Sequence, residues 1–137
     1  MSRSGYVDDN EDQWALIRYR GAVKSALKGS RGQAFLRELI EAMDAMPTKA
    51  LAQDQLKNAS GAYCTLGVIG AARGIDLDAL DPGDIESVAA KFGLSDAMAR
   101  EIVYQNDEAA WRAETPEARW ARMRGWAASW IAQGEPS

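Results

Sequence analysis

The 137-residue chain contains no histidine and a single cysteine, Cys64. The first absence removes the usual general base of nucleophilic triads and the commonest metal ligand. With one thiol and no imidazole, structural zinc and Cys–His catalysis are both excluded. A lone cysteine also forbids an intramolecular disulfide, which suits a reducing compartment. No apolar run approaches the roughly 20 residues that cross a bilayer. Met1 to Asp12 is polar and acidic, without the apolar stretch of a secretory signal. The expectation is a cytoplasmic protein with no membrane contact.

What is present describes a globular protein. At 47% hydrophobic and 26% charged residues, the composition argues against wholesale disorder. The length suits one domain that can hold its own core. A net charge of -4 repels phosphate backbones at long range, so direct nucleic-acid binding is disfavoured unless a local basic face overrides it.

The chain reads as a flexible tail over 1–10, one globular helical domain over 11–132 and a frayed C-terminus over 133–137. Leu16, Tyr19, Val23, Ala26 and Leu27 repeat at helical spacing, predicting a first helix from Glu11 to Lys28. Phe35, Leu36, Leu39, Ile40 and Met43 predict a second, capped by Ser30 and ended by Pro47. From Thr48 to Cys64 the pattern breaks. Turn chemistry at Asn58-Ala-Ser-Gly61 and the run Ala62-Tyr-Cys-Thr65 predict a two-stranded hairpin, with a short helix over Lys49 to Lys57 as the alternative. Further helices are expected over 65–73, 85–92, from Ser95 to about Asp107, and from Thr115-Pro-Glu117 to about Ala132. The fold class is mainly α, an α-rich α+β arrangement of five to six helices packed around one short β-hairpin.

The residues also carry a resemblance. The opening Met1-Ser-Arg-Ser-Gly-Tyr6 and the stretches Trp14–Gly21, Gly32–Glu38, Cys64–Gly67, Arg100–Val103 and Glu114–Glu117 with Arg119-Trp120 resemble a small uncharacterised protein family of tailed phages and prophages. The resemblance covers most of the chain and brings no established activity. It implies an accessory protein acting in the cytoplasm of an infected bacterium.

Several constellations compete as sites. Cys64 has no neighbouring base and reads as core. Gly67, Gly70 and Gly74 match neither a P-loop nor a dinucleotide fingerprint; they read as places where a helix approaches a neighbour, the hairpin in front of it being one. Asp76, Asp78, Asp81 and Asp84 crowd one loop, but Leu80 and Asp81 occupy positions where a calcium loop needs a ligand and a glycine, so caps and turns are the better reading. No pair of carboxylates stands out for acid–base work, so no catalytic residue and no metal or cofactor is assigned.

Arg20, Lys24 and Lys28 stack at four-residue steps into a basic strip, which reads first as a solvated helix face and second as a contact for phosphate or an acidic protein surface. Trp111, Trp120, Trp126 and Trp130 cluster near the C-terminus among Arg112, Arg119, Arg122 and Arg124. Trp120 and Trp130 fall on the expected core stripe, whereas Trp111 and Trp126 do not fall cleanly on it and read equally as half-buried core rings or as interface rings. Trp and Arg dominate interface hot spots, so Trp111, Trp126, Arg119 and Arg122 are the expected partner contacts. The leading expectation is a non-enzymatic phage accessory protein that binds a host or phage protein, such as an inhibitor of a CRISPR-Cas or other defence system. The alternative is a nucleic-acid-associated accessory protein using the basic face of the first helix.

Overall fold

A computed structural model of the chain describes residues 13–59, 61–109 and 113–134. Among them are six α-helices: α1 (Gln13–Lys28), α2 (Ser30–Asp44), α3 (Thr65–Arg73), α4 (Ile85–Phe92), α5 (Asp96–Asp107) and α6 (Pro116–Gly134). A single 3-10 turn, Leu77–Ala79, interrupts the loop between α3 and α4. The expected tail (1–10) and the last three residues lie outside the described residues, and α6 continues two residues past the expected Ala132.

Local chemistry sets most boundaries. Asp84 accepts from the Ser87 amide at the start of α4, Ser95 from that of Met98 at the start of α5, and Thr115 from that of Ala118 beside Pro116. Gly74 and Gly93 end α3 and α4 in the left-handed conformation. Ser30 is a correction. Gly29 holds the capping position of α2 with no side-chain cap, and Ser30 is already helical. The crowded aspartates serve turns and caps: Asp76 accepts from the Asp78 amide and Asp81 from that of Gly83.

The expected β-hairpin is not there. Among the described residues no strand forms between Thr48 and Cys64; Lys57 and Tyr63 make one isolated antiparallel bridge. Nor does Lys49 to Lys57 become a helix. The turn itself is as read, with the Asn58 side chain accepting from the Ala62 amide and Gly61 at φ +84°. The flanking residues do not alternate as strands must. Leu51, Ala52 and Leu56 are buried, with exposed Gln53, Asp54 and Gln55 between them. The two flanks share only scattered backbone bonds, such as Ala52 N to Tyr63 O and Cys64 N to Leu56 O, while side chains from α5 and α6 take Leu51 O, Ala52 O and the Asp54 amide.

Asn106 near the end of α5 is the centre of that arrangement. Its carbonyl accepts from the Thr65 amide and hydroxyl (3.0 and 2.8 Å), and its amide donates to Ala52 O and Asp107 Oδ1 (3.0 and 2.7 Å). All of its hydrogen-bonding capacity is used, which lets an amide sit 1% exposed inside a core. Asp107 Oδ1 also accepts from the amide of Asp54, a non-glycine residue held at φ +67°.

The core itself runs through every helix. Leu27, Leu36, Leu39, Met43, Leu51, Ile69, Ile102 and Met123 are fully buried, joined by Phe92 and Cys64. Gly67 lets α3 approach the irregular segment. Gly32 plays the same part at the tight corner between α1 and α2, where a Cβ would stand 1.9 Å from Ala26 O. Buried Gln33 donates to Leu27 O and to Trp130 O (2.7 and 3.0 Å), which draws the end of α6 beside the end of α1.

Ion pairs lock the outside. Arg73 on α3 grips Glu38 on α2 with two hydrogen bonds, and Arg124 on α6 does the same to Asp44 on α2. Arg122 grips Glu114. The hydrogen bonds from these arginines hold Glu38, Asp44 and Glu114 below the usual carboxylate range. A carboxyl depressed by folding stabilises the fold above its unfolded pKa and loses that contribution as pH falls through its folded value. Glu101, raised by burial, works in the opposite direction. Asp84, held down by its bonds from Ser87, joins the depressed group. With four depressed carboxyls against one raised, the melting temperature is expected to fall as pH drops below about 4.5, the ordinary glutamate value. Glu114→Gln should shrink that fall in a pH series of thermal melts; a series as steep as the parent's would show that the pair contributes nothing.

Candidate functional site: a groove between α1, α5 and α6

Helices α1 and α5 pack against each other, and Gln33 brings the end of α6 beside them. Between the three lies an open groove of about 370 Å³. Tyr19, Arg20, Val23 and Lys24 line it from α1, Glu101, Tyr104 and Gln105 from α5, and Trp130 from α6. On α1 these four positions share a face because residues three and four apart stack. On α5 the same spacing groups Glu101, Tyr104 and Gln105 beside the buried stripe of Met98 and Ile102.

The walls are aromatic and the rim is charged. Tyr19 extends its hydroxyl to Ala97 O at 3.5 Å. Glu101 is half-buried and accepts from Gln105 Nε2 at 3.1 Å. Burial pushes its carboxyl above the usual range, while the Gln105 hydrogen bond and the charge of Arg20 pull it back. Arg20, Lys24 and Lys28 all lie exposed along α1, as their spacing requires. The same helix carries the chain's most exposed large apolar side chain among the described residues, Ile17 at 58%.

The expected tryptophan–arginine cluster is arranged otherwise. Arg119 as a partner contact is corrected: it is 6% exposed. Its guanidinium donates to Asn106 O (3.1 Å), Leu51 O (3.0 Å) and Gln53 Oε1 (3.5 Å), so it closes the irregular segment onto α5 and α6. Arg122 is occupied by Glu114, with a longer bond to Asn106 O. Trp111 lies outside the described residues. Trp120, Trp126 and Trp130 share one environment: each is half-buried and packed against the core. Trp126, open between core and interface from sequence, thus packs as Trp120 and Trp130 do. Trp120 has Lys49 Nζ 5.7 Å from its ring centroid, and the same ammonium caps the carbonyls of Asp44 and Met46 at the end of α2.

Of the residues singled out from sequence, the groove brings together Arg20 and Lys24. It adds Tyr19, Glu101, Tyr104, Gln105 and Trp130. Tyr19 and Trp130 carried a legible signal, but it was that of a core stripe. Glu101, Tyr104 and Gln105 flank the α5 stripe, and only the packing of α1 against α5 gives that flank a floor. Among the described residues no three Asp, Glu or Cys side chains converge as metal ligands, and no helix is long and apolar enough to cross a membrane. No known family model, curated protein or solved structure matches this chain.

Proposed function

We propose that the chain is a non-enzymatic binding protein that docks onto a partner protein through the groove between α1, α5 and α6. The groove carries this reading: three aromatic side chains beside exposed cations, in a concavity of about 370 Å³. Aromatic residues that anchor a partner while cations frame them are the usual composition of an energetically dominant patch. The resemblance to phage proteins supports a host or phage protein as the partner, with inhibition of a bacterial defence system as one outcome of docking. The rival, nucleic-acid association along Arg20, Lys24 and Lys28, is favoured by the exposed strip but opposed by the carboxylate of Glu101 beside it.

Site-specific photocrosslinking in the producing bacterium tests the reading. A photoreactive residue at Lys24 or Gln105 should yield a discrete protein adduct, and the same residue at exposed Glu86 on α4 should not. Equal labelling at both places, or adducts to nucleic acid alone, would overturn it.

A further inference from the structure

The occupant of the groove can be narrowed by charge. Helix α1 contains Arg18, Arg20, Lys24 and Lys28 and no acidic residue, in a chain whose total is -4. Of these, Arg20 and Lys24 line one wall of the groove. At a rise of about 1.5 Å per residue, Arg20, Lys24 and Lys28 form a row roughly 12 Å long. The row runs from the groove toward the end of the helix, with Ile17 one turn before it. Within the groove, Tyr19, Val23, Tyr104 and Trp130 present apolar surface around Glu101. A carboxylate has acceptor sites beyond the one that Gln105 Nε2 occupies. It favours an anchor that brings an N–H or O–H and disfavours a phosphate.

Resting on the reading above, we propose that the groove takes an acidic protein segment with one tyrosine or tryptophan anchor. The ring seats between Tyr19, Tyr104 and Trp130 with its hydroxyl or indole N–H toward Glu101. Asp or Glu residues on one side of the anchor lie along Arg20, Lys24 and Lys28. Single-stranded nucleic acid shares the cationic row but would place its phosphates next to Glu101.

Selection of a random peptide display library on the immobilised full-length protein tests this directly. Enriched peptides should combine Asp and Glu with one tyrosine or tryptophan. In anisotropy titrations, exchanging that anchor for alanine, or testing the Lys24→Glu/Lys28→Glu double variant, should weaken binding by roughly tenfold or more. Both lysines are exposed, and an unchanged melting curve confirms that the variant is folded. Enrichment of basic or neutral peptides, binding indifferent to the double variant, or a single-stranded oligonucleotide that binds more tightly than the peptides would overturn the proposal. Protein crosslinks at Lys24 together with no acidic peptides would leave the groove as a docking site and remove only this assignment of its occupant.

Discussion

Replacing Arg119 with methionine is expected to destabilise the fold by about 3–5 kcal/mol, the range for breaking a buried charged network at one partner. Methionine preserves the apolar stem but gives up the bonds to Asn106 O, Leu51 O and Gln53 Oε1; Arg122 still reaches Asn106 O and Gln53 is exposed, so Leu51 O is the buried acceptor left unpaired. Each buried carbonyl left unpaired costs about 1–3 kcal/mol. Glu114, which also pairs with Arg119 at 3.5 Å and has a side chain only 11% exposed, would keep Arg122 but lose its second cation. Lysine should not rescue the loss, because one ammonium cannot reproduce a planar fork aimed at separate carbonyls. Urea unfolding of the two variants reads the effect. A methionine variant within about 1 kcal/mol of the parent would place Arg119 among ordinary surface arginines, returning it to the interface role its sequence neighbourhood suggested.

Alanine at Gly67 sets two effects against each other. Helix propensity favours alanine over glycine by about 1 kcal/mol inside a helix. Yet a Cβ there would stand 2.0 Å from Leu56 O and 3.1 Å from Tyr63 Cβ. The obstacle is backbone, and Leu56 O already accepts from the Cys64 amide, so relief means moving the irregular segment off α3. Overpacking of this kind costs about 1–3 kcal/mol and sometimes more. Steric cost should win, giving a net loss of about 2 kcal/mol. Gly125 on α6 is the control, since nothing lies within 4 Å of its Cβ position. There only propensity acts, and Gly125→Ala should stabilise by about 0.5–1 kcal/mol. The same sign at both sites in thermal melts would mean that the close approach at Gly67 is not rigid.

Helices were legible because their signals are local. The 3.6-residue stripes, the caps at Asp84, Ser95 and Thr115, and the stops at Gly74 and Gly93 are written within a few residues of the features they define. The close packing at Gly67 was legible too, although the neighbour proved to be irregular backbone and not a hairpin. That segment was misread for a physical reason. Its turn is local, but several of its backbone groups are bonded by side chains more than 40 residues away, such as Asn106 and Arg119. The same limit governed the site. Arg20 and Lys24 announce themselves by spacing on one helix, whereas Glu101 and Tyr104 acquire a role only where α1 crosses α5. Arg119 was misassigned because an arginine among tryptophans looks alike from sequence whether its guanidinium faces water or a ring of carbonyls.

The segment from Thr48 to Cys64 has neither ladder nor helix, and such stretches ordinarily open first. Here the Leu51 amide ends on Pro116 O at the start of α6, and Asn106 holds both Ala52 O and the Thr65 amide from α5. Exposing these groups to water or to a protease would require α5 and α6 to part from the segment, which is close to unfolding the whole molecule. The anchored groups of this irregular stretch are therefore expected to exchange as slowly as the helices that hold them. Regular secondary structure is then a poor guide to where this protein gives way.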